Sequence, residues 1–168
     1  MGVRPQDILV LLKMVAMGNR SWKQSDLADG LALSRAEVSN SLDRSAQVGF
    51  LDEQKRVPQK GALLEFISYG LKYVFPAKPG PLCRGVATSH SAPPLANKIV
   101  SEPGDAYVWP SAEGDVRGQA IEPLYHSVPK AVKNDPLLHE MLALVDGIRV
   151  GRARERKIAM EELQRRFK

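Results

Sequence analysis

The stretch that decides the fold runs from Gln24 to Phe50 and reads QSDLADGLALSRAEVSNSLDRSAQVGF. A helix-turn-helix requires apolar residues where its two helices touch, and small residues inside the first helix and at the turn. Leu27 and Leu31 supply the apolar contacts, Ala28 is the small residue of the first helix, and Ala32 stands at the turn. The order of these residues therefore predicts two short helices joined by a tight connection.

The second helix of this motif begins at Ser34, by the same reasoning. In Ser34-Arg35-Ala36-Glu37 the serine can accept from the Glu37 amide while the glutamate reaches back, which is a capping box. Leu33 is predicted to fill the gap between the helices, and Val38 and Leu42 to anchor the second helix on the core. We expect this helix to run to about residue 46.

These buried positions leave a polar face on the second helix that the major groove of DNA could admit. Arg35 could donate two hydrogen bonds to a guanine or bind a phosphate, and Asn40 could pair with adenine. Ser39 could form a hydrogen bond with either a base or a phosphate. The amide end of the helix at Ser34 adds a phosphate site. The residues predicted to face outward are Arg35, Ala36, Ser39, Asn40, Asp43 and Arg44.

Helical and hairpin signals surround the motif. A helix starts near Pro5 and carries a buried stripe at Ile8, Leu11, Leu12 and Val15. The helix before the turn is predicted to start at Ser21, three residues before Gln24. After Gly49 a small hairpin closes at Pro58, and its tip holds Lys55 and Arg56, a wing that would contact the DNA backbone or minor groove. A further helix from about Lys60 should bury Leu63, Ile67, Leu71 and Val74, and the whole unit covers residues 1–75.

The segment 76–136 has a different composition, because it contains ten of the twelve prolines. Prolines at that density exclude a long helix, yet the segment also holds many apolar residues. We therefore predict an extended, mostly irregular segment packed over another surface. Tyr107–Trp109 and Val116–Ile121 could form a hairpin in it that turns near Glu113-Gly114.

Residues 137–168 are predicted to be helical again. Asp135 is predicted to cap the N-terminus of a helix whose first turn contains Pro136. An apolar stripe follows from Leu138 to Ile148. We interpret this stripe as the seam of a homodimer, because a protein that reads two half-sites needs two copies. Beyond Gly151 an arginine-rich helix follows, whose charges suit a solvated face better than a nucleic-acid contact.

The composition restricts the class of protein. The formal net charge is +5, which permits nucleic-acid binding without demanding it. No apolar run is long enough to span a membrane, and a lone cysteine, Cys83, fits a reducing cytoplasm. The three histidines lack metal-ligand spacing, and no catalytic motif occurs. The sequence therefore predicts a cytoplasmic protein that is not an enzyme and that needs neither metal nor cofactor.

The motif resembles that of a known family. The residues that carry the resemblance are Leu27-Ala28, Leu31, Leu33-Ser34, Val38, Leu42 and Gly49-Phe50-Leu51. Their pattern is similar to the "LA…L.LS…V…L…GFL" of MarR-like winged helix-turn-helix regulators of bacteria. The rest of the chain, with VFPAKPGP, VWPSAEGDVRG and EPLY, resembles AbiEi-type antitoxins. The resemblance implies a mainly α, α+β protein that regulates transcription or neutralises a toxin partner.

Two hypotheses follow from these observations. In the first, a homodimer binds double-stranded DNA and represses its own operon, with Arg35, Ser39 and Asn40 reading bases. Arg44, Lys55 and Arg56 would then hold phosphates. In the second, the chain is a protein-interaction module whose segment 76–136 wraps a partner without binding DNA.

Overall fold

Helices dominate the structure. The computed structural model describes residues 2–102 and 104–168, and those residues form eight α-helices and one three-stranded sheet, with 52% of the residues helical. The fold is therefore α+β, as the sequence predicts. None of the helices in this described part is both long enough and apolar enough to cross a membrane.

The first three helices are α1 (Pro5–Met17), α2 (Gln24–Leu31) and α3 (Arg35–Gln47). The apolar residues predicted to join α2 and α3 are buried, as are the stripe residues of α1. Ala32 adopts the left-handed conformation (φ 54°, ψ 44°), which turns the chain sharply between α2 and α3. The predicted turn and core of this unit are therefore confirmed.

The predicted start of α2 at Ser21 is wrong. The helix begins at Gln24, and the N–H of Lys23 is bound by the carboxylate of Asp26 at 2.7 Å. Trp22 is only 8% exposed. The chain next to Trp22 is extended, and in this conformation the Trp22 ring is buried in the core. The first turn of α2 therefore starts only at Gln24.

A tight hairpin follows α3. The N–H of Asp52 donates to the carbonyl of Val57 at 3.0 Å, and Leu51 and Pro58 form a single bridge pair. Next come α4 (Lys60–Tyr69) and α5 (Leu71–Val74), which are separated at Gly70. The prediction that Val74 is buried is wrong, since the break at Gly70 leaves Val74 53% exposed.

Three short strands form a closed barrel within the segment 76–136. They are β1 (Leu82–Ala87), β2 (Tyr107–Pro110) and β3 (Val116–Ala120). Strand β1 pairs antiparallel with both others, so β2 and β3 run parallel to each other. The predicted hairpin between β2 and β3 is therefore wrong, because hairpin partners must be antiparallel.

Glycines allow the strands of this barrel to approach closely. A Cβ on Gly85 would lie 2.1 Å from the carbonyl oxygen of Trp109, and a Cβ on Gly114 would lie 2.1 Å from the backbone of Gly85. Only glycine avoids both clashes. Two 3-10 turns (Ser89–Ser91 and Leu95–Asn97) and α6 (Val128–Ala131) complete the segment, which is more regular than the sequence predicts.

Helix α7 (Pro136–Val150) is the central element of the molecule. The carboxylate of Asp135 accepts from the Leu138 amide at 3.1 Å, which confirms the predicted cap. Every residue from Met141 to Ile148 is buried, against α1, α4, α5 and α8 (Ala153–Arg166). The predicted use of the Leu138–Ile148 stripe as a dimer seam is therefore wrong, because the chain itself covers the stripe.

A buried carboxylate fastens the barrel to α7. Asp146 is 1% exposed, and its Oδ2 accepts from the Thr88 hydroxyl and from the Trp109 indole N–H, each at 2.6 Å. Arg149 forms an ion pair with its Oδ1 at 3.0 Å. Burial raises the pKa of Asp146 despite these partners. The strand that carries Trp109 is thereby fixed to the same helix that supports α1.

Candidate nucleic-acid interface

One face of α3 is open to solvent along its whole length. Ala36, Asn40, Asp43 and Gln47 recur every three or four residues, and all four are exposed. Arg35 is also exposed at the start of the helix, and Ser39 is half-buried beside this face. Residues at that spacing share one side of a helix. Of the side chains predicted to read bases, Asn40 therefore lies on the free side of α3, whereas Arg35 is exposed at the first turn and Ser39 lies at the edge of that side.

Arg44 does not belong to this face, so the prediction that it points outward is wrong. It is 5% exposed, and its guanidinium contacts the carboxylate of Asp7 through Nε at 3.0 and 3.2 Å and through a terminal nitrogen at 2.8 Å. Ser41 donates to the same carboxylate at 2.6 Å. The buried Asp7 requires a cation, and this demand turns Arg44 away from solvent.

The first turn of α3 is bonded to the C-terminal half of the chain. Ser34 accepts from the Glu37 amide at 3.1 Å, and Glu37 accepts from the Ser34 N–H at 2.8 Å, which confirms the predicted capping box. The Tyr125 hydroxyl donates to the other oxygen of Glu37 at 2.6 Å, and this bond is the main reason that the pKa of Glu37 lies below its ordinary value. The helix end thus already carries a carboxylate, and the Ser34 hydroxyl is engaged in the cap.

The tip of the hairpin is joined to α3 by an ion pair. Lys55 donates to the carboxylate of Asp43, and both side chains are about half exposed. Lys55 has a φ of 59°, which bends the hairpin tip. The pair places the cation beside the exposed face of α3 and offsets the charge of the one acid on that face.

Arg56 lies on the other side of the hairpin, next to Trp22. Its guanidinium stacks 3.8 Å from the centre of the Trp22 ring and donates to the Trp22 carbonyl at 2.8 Å. A groove of about 350 Å³ runs along this contact, and Arg20 and Lys60 also line it. Three cations therefore border one groove beside the hairpin.

Sequence reasoning missed three residues of this surface. Gln47 follows Asp43 by four residues, so helical periodicity could have found it. Arg20 and Lys60 belong to a loop and to α4, and nothing in their spacing connects them to Arg56; only the fold brings them together.

No group of three or more histidine, cysteine or acidic residues in the described ranges 2–102 and 104–168 is arranged to hold a metal ion. Cys83 is half-buried in β1.

A scan against protein-family models and searches of curated proteins and of solved structures found no match to this chain.

Proposed function

We propose that residues 1–75 form a winged helix-turn-helix and that the protein is a sequence-specific DNA-binding regulator of transcription. The observation that carries the proposal is the free face of α3, which presents Asn40 and Gln47, with Arg35 exposed at the first turn, while the opposite side is anchored in the core. A single helix fits the major groove. The resemblance of the motif to MarR-like regulators supports the same conclusion.

Base recognition is assigned to the exposed polar residues of α3. Arg35 can donate two hydrogen bonds to guanine, and Asn40 and Gln47 can each pair with adenine through donor and acceptor together. Ala36 leaves room for a thymine methyl group, and Ser39 is close enough to the face to bond a base or a phosphate. Specificity in this proposal comes from α3 alone.

Phosphate contacts are assigned to cations beside the hairpin. Lys55 lies next to α3, and Arg20, Arg56 and Lys60 border the groove along Trp22. Contacts with the phosphates of the DNA backbone position a protein on the duplex but do not read the base sequence. Arg44 has no part in them, because it is buried with Asp7.

A homodimer remains part of the proposal, although its seam must lie elsewhere than on α7. The exposed large apolar residues include Tyr69, Tyr73 and Val74, which follow one another along α4 and α5 and are 53 to 74% exposed. Tyrosine is enriched at protein interfaces. Sedimentation of the wild type against a Tyr69→Glu, Tyr73→Glu variant tests this seam, and an unchanged oligomeric state would exclude it.

The resemblance to AbiEi-type antitoxins supports two narrower proposals: that this regulator represses its own operon in a bacterial cytoplasm, and that it neutralises a toxin partner. Support for the alternative, a partner-wrapping module without DNA binding, is weaker. That alternative needs a free segment 76–136, whereas β1 to β3 and α6 are packed on the helices through Trp109 and Val128.

The test begins with selection of bound duplexes from random-sequence DNA, followed by titration of the best site. Arg35→Ala and Asn40→Ala should each weaken specific binding by about 1–3 kcal/mol and relax the preference at one base pair. Arg154→Ala, an exposed arginine on α8, is the matched control and should change little. Selection of no sequence, or equal effects of all three variants, would overturn the proposal.

A further inference from the structure

The guanidinium of Arg56 is held in one position by the tryptophan beside it. It lies 3.8 Å from the centre of the Trp22 ring, and its Nη2 donates to the Trp22 carbonyl at 2.8 Å. Trp22 is only 8% exposed, whereas Arg56 is exposed. Arginine has five N–H donors, of which this contact with Trp22 uses one. A buried ring and a backbone carbonyl therefore fix a cation that still has donors for another group.

The backbone that carries Arg56 is fixed as well. The Oδ1 of Asp52 accepts from the N–H of Arg56 at 2.7 Å and from the N–H of Val57 at 2.9 Å. The hairpin closes on the same residues, because the N–H of Asp52 donates to the Val57 carbonyl at 3.0 Å. The side chain of Arg56 is thereby restrained at its base by Asp52 and at its tip by Trp22. A side chain ordered in advance loses less entropy when it binds.

The groove beside this cation suits an anion. Arg20, Arg56 and Lys60 all line it, and no carboxylate lines it among the described residues. The acid that contacts Arg56, Asp52, uses its Oδ1 on backbone N–H groups of the hairpin. A concave surface with cations of one sign attracts a negatively charged group such as a phosphate.

We propose that Trp22 is a positioning residue, which holds the Arg56 guanidinium ready to bind one phosphate of the DNA backbone. The inference rests on the proposed function, because that function supplies the duplex. Trp22 acts through Arg56 and reads no base. Arg56 should accordingly contribute more to affinity than a mobile cation of the same charge, since lysine cannot replace arginine at a stacked position.

The first experiment replaces Arg56 by a cation that cannot stack in the same way. Affinity is measured for the selected duplex and for an unrelated duplex of equal length. Arg56→Lys should weaken binding to both about two- to tenfold, which is the cost of ordering one freed side chain. The salt slope should stay as in the wild type, because the charge is retained.

Arg154→Lys is the matched control, because it is the same substitution at an exposed arginine of α8. Its affinity for both duplexes should equal that of the wild type. Equal effects of Arg56→Lys and Arg154→Lys, or an effect of Arg56→Lys on the selected duplex alone, would overturn the inference.

The wild type separates this inference from the proposed function. Binding of neither duplex by the wild type would refute the proposed function and the inference together. Binding by the wild type with undiminished affinity in Arg56→Lys would refute the positioning role of Trp22 alone.

The part played by Trp22 is tested by combining two substitutions. Trp22→Leu removes the aromatic face and keeps an apolar side chain, so it should weaken duplex binding about two- to tenfold. In the Arg56→Ala background the same substitution should lose this effect, because no guanidinium is left to position. A ring with a merely structural role would weaken binding equally in both backgrounds, and that result would overturn the inference.

A measurement on the wild type without DNA decides the case in which Trp22→Leu does not fold. The ¹⁵N relaxation of the Arg56 Nε–H should show restricted motion, as for Arg149, which donates to the Phe75 carbonyl and pairs with Asp146. The exposed Arg154 should be mobile on the same timescale. An Arg56 Nε–H as mobile as that of Arg154 would show that Trp22 does not hold it and would overturn the inference.

Discussion

Asp7, in the first turn of α1, holds the guanidinium of Arg44, near the end of α3, at 2.8 Å in an environment where both side chains are almost fully buried. The same carboxylate accepts from Ser41 and from the N–H of Arg4. This carboxylate therefore fixes the angle between α1 and α3. It sets which side of α3 meets the core and which side faces solvent.

The Asp7–Arg44 pair should affect stability without contributing to DNA affinity. Arg44→Met leaves a buried carboxylate without its cation, so we expect a loss of about 3–5 kcal/mol in the free energy of unfolding. Arg35→Met, at an exposed position of the same helix, should change it by less than about 0.5 kcal/mol. Urea unfolding measures both. An Arg44→Met protein of wild-type stability would contradict the buried pair.

The Asp43–Lys55 ion pair should moderate DNA binding. Asp43→Asn removes a negative charge from the face of α3 and releases Lys55, so we expect DNA affinity to rise about two- to fivefold and the salt slope to steepen by about one. Lys55→Ala should shift both quantities in the opposite direction. Titrations at several salt concentrations measure them. A loss of affinity in Asp43→Asn, confined to sites with one particular base pair, would instead identify Asp43 as a reader of cytosine.

The Tyr125–Glu37 hydrogen bond should give stability that depends on pH. The bond lowers the pKa of Glu37 below 4.5, so its contribution is complete above that pH and is lost as the pH falls through the lowered value. Tyr125→Phe should therefore cost about 1 kcal/mol near neutral pH and progressively less in acid. Urea unfolding across this range measures the difference from wild type.

Ser21→Ala, which also removes a hydroxyl group but at an exposed position, is the control for that experiment. The free energy of unfolding of this control should stay close to that of the wild type at every pH. If Tyr125→Phe differed from wild type by the same amount in acid as at neutral pH, Glu37 would not be the partner that matters.

The left-handed residue at the turn offers a stabilising substitution. Ala32 has a φ of 54°, a conformation that glycine adopts more readily than alanine. Ala32→Gly should raise the free energy of unfolding by about 0.5–1 kcal/mol, whereas Ala28→Gly inside α2 should lower it by about 1 kcal/mol or more. Thermal and urea unfolding compare the two. A destabilised Ala32→Gly protein would show that the methyl group of Ala32 contributes packing that outweighs the strain.

Local signals predicted the N-terminal helices well. The capping box at Ser34 and the spacing of Leu27, Leu31 and Leu42 depend on neighbours along the chain, so periodicity is sufficient to find them. The same signals predicted that Asn40 and Arg35 are exposed, and both are. Local signals placed the start of α2 wrongly, because that start depends on where the Trp22 ring is buried.

Long-range pairing was beyond such reasoning. Strand β1 joins β2 and β3 by hydrogen bonds to chain some 20 to 40 residues distant, and no local signal distinguishes that arrangement from a hairpin. The apolar stripe of α7 shows the same limit, because a stripe reveals that a face is buried but not whether the cover comes from the same chain or from another copy.

The sequence by itself determined the positions of α1, α3 and α7, the tight turn at Ala32 and the residue types exposed on α3, because each of these depends on side chains within a few positions. The tertiary structure alone decided that Arg44 turns inward to Asp7, that Arg20 and Lys60 join Arg56, and that α7 lies at the centre. Burial of a charge and coverage of an apolar face depend on which distant segments meet, and that is settled only when the whole chain packs.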